Sequence, residues 1–258
     1  MIPEKLGELW LRPYRSLWRP RLRLVCFPHA GGAASAFRTW PLRLPADVEV
    51  LAASYPGRES RLRERPAERM EQLVDPLVAA LSPLTDRPLA FFGHSMGASV
   101  AHEAALRLRD VPGADVAGLF VSARQSPRAL AAAPQPQPTT DEELIEEVVR
   151  LGQSRPEVFA DPELRDLILP ALRADFRLVA AYRPDPSRIL SGPVTAYGGT
   201  ADPEVTLEDL LSWSASTTGA FDSRLFPGGH FYLERHEAAL VRDLSARLRI
   251  LIPAALHP

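Results

Sequence analysis

The sequence predicts an α/β fold in which a mostly parallel sheet is flanked by helices. Short apolar runs alternate with segments of helical periodicity along most of the 258 residues, which is the pattern of strand–helix–strand units. Hydrophobic residues make up 46% of the chain, enough to bury a sizeable core. We therefore expect a single domain over residues 1–258.

Six apolar runs are predicted to be strands, at residues 23–27, 48–53, 89–93, 118–122, 193–197 and 222–226. Four segments with apolar residues at helical spacing are predicted to be helices, at residues 70–81, 98–109, 207–214 and 238–251. The residues before the first run contain Pro13 and Pro20, which would interrupt a helix. We interpret them as a lead-in to the first strand.

Residues 126–183 break the alternation, because no strand pattern occurs there. A proline-rich stretch at 133–138 predicts a stiff, extended connector. Helical signals follow it, so we interpret the segment as a helical lid inserted into the α/β domain, above the strand ends where such sheets keep their sites. An ordinary group of helices packed on the sheet is the alternative.

Local signals predict where the helices of this insertion begin. Thr140 precedes Glu143 by three residues, which is the spacing of a capping box. Asp161 followed by proline is a second helix start. We expect Pro170 to end or kink that second helix.

Charge and cysteine content exclude several classes of function. The net charge of −2 gives no electrostatic reason to expect a nucleic-acid partner. Cys26 is the only cysteine, so the chain has neither an internal disulfide nor a cysteine-based metal cluster. No apolar run approaches the 18 residues or so of a membrane span, and the N-terminal residues lack the apolar core of a secretory signal. We expect a cytoplasmic protein with no membrane partner, and a monomer.

Ser95 is the first candidate catalytic residue. Residues 93–97 read GHSMG, which fits G-x-S-x-G, and a predicted strand precedes the motif while an alanine-rich helix follows it. That context is typical of a nucleophile held on a sharp strand-to-helix turn, with glycines because larger side chains would collide with neighbouring backbone. A glycine-flanked serine in an ordinary turn is the alternative.

A serine nucleophile needs a histidine base, and His230 lies where one is expected. It follows the last predicted strand in the glycine-rich sequence FPGGHF. His236 lies further on among charged residues, and we interpret it as a surface side chain. A structural core histidine is the alternative role for His230.

Asp202 is the candidate acid, because it follows the predicted strand at 193–197 and lies between the serine and the histidine in sequence. Asp209, within a predicted helix, and Asp222, at the start of a strand, are weaker candidates. Asp202 could instead serve only as a helix N-cap ahead of Pro203.

An oxyanion formed at the acyl carbonyl needs two backbone N–H donors. We expect one from Met96, which follows the serine, and one from the loop FPHAGG that ends the first predicted strand, with Ala30 as the donor. From the residues alone, the sequence predicts an α/β-hydrolase with a lid that acts on an ester, thioester or amide.

Six motifs, taken together and in this order, resemble the stand-alone type II thioesterases of polyketide synthase and nonribosomal peptide synthetase systems. The resemblance covers residues 22–248, and its motifs are CFPHAGG at 26–32, SYPGRESR at 54–61, FGHSMGA at 92–98, LPALRADF at 169–176, ADPEVT at 201–206 and FPGGHFYL at 226–233.

The resemblance implies an editing enzyme that hydrolyses stalled or misprimed acyl groups from the phosphopantetheine arm of acyl or peptidyl carrier proteins. It implies Ser95 as nucleophile, His230 as general base and acid, and Asp202 as the group that orients the histidine, with no cofactor beyond the arm that the substrate carries. It also suggests structural support by Arg58 and substrate entry through the helical insertion.

Three other functions stay open from the sequence: a general esterase or lipase, a non-catalytic binding protein of hydrolase fold, and a release domain of a larger synthase. A free-standing protein is the simpler expectation. Four arginines, Arg58, Arg61, Arg63 and Arg65, could form a docking rim for an acidic carrier protein. Since acidic residues are interspersed among them, we prefer to interpret them as a solvated face.

Overall fold

The structure is a computed structural model that describes residues 7–114, 116–133, 138–153 and 156–252. A seven-stranded sheet forms its centre, in the order β1-β3-β2-β4-β5-β6-β7. The strands are β1 Leu11–Arg15, β2 Leu22–Phe27, β3 Val48–Ala53, β4 Leu89–His94, β5 Val116–Ser122, β6 Val194–Gly199 and β7 Phe221–Phe226. Within the described ranges, no helix is long and apolar enough to cross a bilayer.

Strands β2 to β7 pair in parallel, as the alternation of strands and helices predicts. The six predicted strands all form. The interpretation of the N-terminal residues as a mere lead-in was wrong, because β1 adds to the sheet as an antiparallel strand with Leu11 opposite Ala53. Pro13 is compatible with this position, since an edge strand leaves one row of N–H groups unpaired.

Helices cover both faces of the sheet. The helices are α1 Met70–Leu81, α2 Met96–Leu108, α3 Pro127–Ala132, α4 Asp141–Leu151, α5 Pro162–Ala181, α6 Leu207–Leu211 and α7 Tyr232–Leu251. Alternate side chains of each strand point to opposite faces, so Val25 joins the core under α1 and α2, while Leu24 joins the core under α7.

The insertion has a small core of its own, formed by Leu144, Val148, Phe159, Leu169 and Leu172. The predicted capping box forms, since Thr140 Oγ1 accepts from Glu143 N at 3.2 Å and Glu143 Oε2 accepts from Thr140 N at 3.3 Å. Asp161 caps α5 as predicted. Of the proline-rich connector, residues 134–137 lie outside the described residues.

Pro170 does not end its helix, so that part of the prediction was wrong. Helix α5 continues past Pro170 to Ala181. The two residues on either side of the proline, Leu169 and Ala171, are buried together with Leu172. Apolar packing over the second half of the helix therefore outweighs the cost of about 3 kcal/mol that an internal proline imposes.

Candidate active site

Ser95 lies on the turn that joins β4 to α2. Its backbone has φ 53° and ψ −121°, a strained conformation for a residue with a side chain, and its N–H donates to Ser122 O at 2.8 Å. A Cβ on Gly93 would lie 2.2 Å from Gly97 O, and one on Gly97 would lie 2.0 Å from Phe27 O. Both glycines are therefore required by close backbone contacts, as the sequence motif predicts.

The structure brings Ser95, His230 and Asp202 into one hydrogen-bonded chain. Ser95 Oγ lies 2.9 Å from His230 Nε2, and His230 Nδ1 lies 3.0 Å and 3.1 Å from the two carboxylate oxygens of Asp202. The side chain of Asp202 is fully buried and that of His230 nearly so. Burial of these two side chains places their hydrogen bonds in a low-dielectric setting, where they are strong.

Loops at the carboxyl ends of β6 and β7 carry Asp202 and His230. The Asp202 loop is tied to the β7 loop, because Ala201 N donates to Gly228 O at 2.8 Å. Asp202 Oδ1 also accepts from Glu204 N at 2.9 Å. Asp202 thus bonds both to the histidine and to its own loop, so the helix-capping alternative does not account for its side chain. Asp209, the weaker candidate, caps α6 through Thr206 instead.

The two residues predicted as oxyanion donors are Met96 and Ala30. Met96 is the first residue of α2, so its N–H has no acceptor within the helix. Ala30, in the loop after β2, lines the same cavity as Ser95 and His230. This cavity has a volume of about 400 Å³. Ala30 therefore lies at the same cavity as the serine, and Met96 directly follows the serine in the chain.

Two residues of the insertion bind the loop that contains Ala30, and the sequence did not reveal these contacts. Asp175 Oδ2 accepts from Gly31 N at 2.7 Å, and Gln153 Nε2 donates to Ala30 O at 2.7 Å. Arg58 binds Asp175 through two hydrogen bonds of 2.6 Å and 2.9 Å and also donates to Gly32 O at 3.0 Å. The sequence motifs containing Arg58 and Asp175 were the available signal, but they do not indicate that the two side chains meet.

The interpretation of the arginine run as a solvated face was wrong for two of its members. Arg58 is 8% exposed and Arg61 is 4% exposed. Arg61 donates to Ser54 O at 2.7 Å and stacks over the ring of Trp10 at 4.1 Å. Since both guanidinium groups are held inside the protein, they cannot form a docking rim.

The other histidines near the site have structural surroundings. His94 is fully buried, and its Nδ1 lies 2.9 Å from Ser122 Oγ. Burial lowers the pKa of His94 well below its usual value, with the nearby His230 and His29 acting in the same direction, so it stays neutral. His236 lies at a kink within α7. Among the residues described, no cluster of His, Cys, Asp or Glu has an arrangement that could hold a metal ion.

The wall of the cavity contains both apolar and charged side chains. Leu151 of α4 and Phe176 and Val179 of α5 form an apolar side that belongs to the insertion. Three carboxylates, Glu143, Glu147 and Glu204, and one cation, Arg124, also line it. Residues of the insertion therefore form part of the wall of the cavity that contains Ser95.

Comparison with known proteins identifies the family. Residues 22–248 match the family model of the thioesterase domain. The chain is 39% identical over 243 residues to thioesterase PikA5 of Streptomyces venezuelae, covering 94% of this chain and 86% of that protein.

Two solved structures are similar to this chain in both sequence and fold. The type II thioesterase BorB from the borrelidin biosynthetic cluster superposes with a TM-score of 0.80 at 36% identity, covering 93% of this chain and 97% of BorB. The thioesterase RedJ from the prodiginine pathway of Streptomyces coelicolor gives 0.81 at 38% identity, covering 91% of each chain. The sheet has the α/β-hydrolase fold that the sequence predicts. The chain therefore belongs to the thioesterase family and is a thioester hydrolase related to the type II thioesterases of polyketide and nonribosomal peptide pathways.

Proposed function

We propose that this protein is an editing thioesterase that removes stalled or aberrant acyl groups from the phosphopantetheine arm of acyl or peptidyl carrier proteins. The observation that carries the proposal is the hydrogen-bonded chain from Ser95 through His230 to Asp202, beside a cavity that residues of the insertion help to line. Relatives named as type II thioesterases of such pathways support the choice of substrate.

In the acylation step, Ser95 Oγ attacks the thioester carbonyl while its proton passes to His230 Nε2, 2.9 Å away. Asp202 holds the Nδ1 proton of the imidazole and stabilises the imidazolium that forms. The tetrahedral intermediate collapses with cleavage of the C–S bond. His230 returns its proton to the departing thiolate, which leaves the acyl group on Ser95 and a free thiol on the carrier arm.

In the deacylation step, a water molecule replaces the thiol. His230 takes a proton from this water, which attacks the acyl-enzyme carbonyl, and the second intermediate collapses with release of Ser95 Oγ. His230 then protonates that oxygen and the free acid departs. The N–H groups of Met96 and Ala30 donate to the oxyanion in both intermediates. These steps require only the named groups and water.

The covered cavity favours an extended substrate that reaches Ser95 through an opening. A pantetheine arm is long and thin, so it can deliver a thioester carbonyl beneath a lid while its carrier protein stays outside. We propose carrier proteins as the partner on this ground, and we propose that the enzyme acts as a cytoplasmic monomer on protein-bound substrates. The alternative function is a general esterase that accepts simple esters through the same residues.

A matched pair of substrates distinguishes the two functions. We would compare the hydrolysis of hexanoyl-pantetheine with that of the oxygen ester in which only the sulfur is replaced. The proposal predicts that kcat/KM for the thioester exceeds kcat/KM for the oxygen ester by a larger factor than the ratio of the two uncatalysed hydrolysis rates. It also predicts that Ser95→Ala loses both activities. A preference for the oxygen ester beyond that ratio would favour the esterase.

A further inference from the structure

Arg124 is a buried cation in the wall of the cavity that contains Ser95. It follows β5 and is 8% exposed. Its Nη2 atom is shielded from solvent and has no hydrogen-bond partner among the residues that the structure describes. A buried N–H group without an acceptor is costly, and more so when it carries charge.

The backbone and the Nε atom of Arg124 are held firmly. Nε donates to Ser99 Oγ at 2.9 Å, and the carbonyl oxygen of Arg124 accepts from Trp213 Nε1 at 2.8 Å. The preceding residue, Ala123, has a left-handed φ of 49°. Strain of this kind persists when the surroundings impose it, and it is frequent at ligand sites. The bonds at Nε and at the backbone therefore fix the position of the guanidinium group.

Two neighbouring side chains that carry oxygen atoms are already engaged elsewhere. Tyr182 donates its hydroxyl proton to Glu103 at 2.7 Å, and Glu204 pairs with Arg150. Burial lowers the pKa of Arg124 to about 10, with Tyr182 and Glu204 acting in the opposite direction. Arg124 is thus protonated at neutral pH.

Ser99 lies one helical turn beyond Ser95, so the bond to Ser99 Oγ fixes the guanidinium about one turn from the nucleophile. A group on the acyl chain, a few atoms past the thioester carbonyl, would meet it there. We propose that Arg124 binds an oxygen acceptor on the acyl chain and so selects acyl groups that are oxygenated near the thioester. This inference rests on the proposed role of Ser95.

The charges around the cavity indicate which oxygen is preferred. Glu143, Glu147 and Glu204 line the same wall as Arg124, and Arg150 pairs with Glu147 and Glu204. Three acids against two cations leave these five groups with a net charge of −1, so a carboxylate on the acyl chain would be repelled. A ketone or hydroxyl oxygen accepts from the guanidinium without that repulsion. The preferred substrates are therefore neutral 3-oxo and 3-hydroxy acyl thioesters.

The test compares pantetheine thioesters of hexanoic, 3-oxohexanoic, 3-hydroxyhexanoic and adipic acids with wild-type enzyme and Arg124→Met. Because intrinsic reactivity cancels, the informative quantity is the change that the substitution causes in the kcat/KM ratio of each oxygenated substrate to hexanoyl. We expect that ratio to fall about tenfold or more for the 3-oxo and 3-hydroxy substrates. We expect Arg173→Met, a matched substitution of a half-exposed arginine in α5, to leave the ratios unchanged.

An equal loss of activity on all four substrates would mean that Arg124 only supports the fold, and would overturn the proposal. A drop confined to the adipoyl substrate would overturn the preference for a neutral oxygen. If Arg124→Met does not fold, the same ratios are measured with Arg124→Lys. This variant keeps the positive charge but lacks the paired N–H donors of the guanidinium group. If the wild-type enzyme hydrolyses neither these thioesters nor the same acyl groups on a carrier protein, the proposed function fails. Calorimetric binding of 3-oxohexanoyl and hexanoyl pantetheine amides to both proteins then tests Arg124 separately.

Discussion

Asp175 of the lid helix α5 and Arg58 form a buried, bidentate ion pair, with Oδ2 to Nη1 at 2.6 Å and Oδ1 to Nη2 at 2.9 Å. The same carboxylate accepts from Gly31 N in the loop that carries Ala30. One lid residue therefore fixes the loop from which we propose that an oxyanion donor comes. The inserted helix α5 and the loop that contains Ala30 are thus in direct contact through Asp175.

We predict that Asp175→Asn lowers kcat by about 10²-fold or more, the effect of displacing one oxyanion donor, while KM changes little. It should also lower the free energy of unfolding by about 3 kcal/mol, because Arg58 stays buried without its counter-charge. Steady-state kinetics and urea unfolding measure the two effects. Asp141→Asn is the control, since it breaks a more exposed ion pair of the insertion and should cost less than about 1 kcal/mol. Unchanged kcat in a folded Asp175→Asn enzyme would contradict this prediction, because it would show that the contact between Asp175 and the Ala30 loop is not needed for catalysis.

Asp202→Asn should lower kcat by about 10³- to 10⁴-fold without unfolding the protein, because an amide cannot stabilise the imidazolium and favours the wrong tautomer of His230. Single-turnover hydrolysis of an acyl-pantetheine measures the loss. Asp209→Asn, which alters only the cap of α6, is expected to keep kcat within about twofold of wild type, since capping contributes to stability. If the two variants had equal activity, Asp202 would not be the orienting acid.

Gly97→Ala should destabilise the protein by about 1–3 kcal/mol, because the new methyl group would lie 2.0 Å from the carbonyl oxygen of Phe27. The backbone must move to relieve this contact, and Ser95 moves with it, so we expect activity to fall more than stability. Thermal unfolding and kcat/KM check both. Gly7→Ala introduces a methyl group into open space and should change neither. Tolerance of alanine at position 97 would contradict the described turn.

His102 should make the protein sensitive to acid. Burial lowers its pKa to about 3, with Arg188 acting in the same direction, and neither ring nitrogen has a partner among the described residues. In the unfolded chain the ring takes up a proton near pH 6.5, so as pH falls from about 6.5 toward 3 the unfolded state is favoured by roughly 1 kcal/mol per pH unit. Above pH 7 this effect vanishes.

His102→Phe keeps the edge contact with Trp213 and removes the titrating group. We expect the stability difference between variant and wild type to grow in favour of the variant as pH is lowered from 7 to 4. Urea unfolding at several pH values measures this trend. A constant difference across that range would show that His102 does not contribute to acid sensitivity.

Local patterns were sufficient to predict the parallel strands and the order of the catalytic candidates. Each depends on neighbouring residues: apolar runs predict strands, and glycines around Ser95 predict a tight turn. The structure brings Ser95, Asp202 and His230 together as that order predicts. Their catalytic roles stay predictions.

The missed features depend on contacts between distant parts of the chain. Arg58 and Asp175 are 117 residues apart, and neither has a local pattern that identifies its partner. The edge strand β1 was missed because Pro13 weakens its strand signal, while pairing with β3 supplies the stabilising contacts. Pro170 was misjudged for a similar reason, since tertiary packing of α5 decides where that helix ends.

The central claim is hydrolysis of a carrier-bound thioester through Ser95. We would load an acyl carrier protein with a hexanoyl group on its pantetheine arm and follow the intact mass with wild-type enzyme and with Ser95→Ala. The account predicts that wild-type enzyme removes the acyl mass and leaves the arm in place, and that Ser95→Ala does not accelerate the loss. Persistence of the acyl mass with an enzyme that still hydrolyses free acyl-pantetheine would contradict the proposed carrier-bound substrate, and equal loss with Ser95→Ala would contradict the nucleophile.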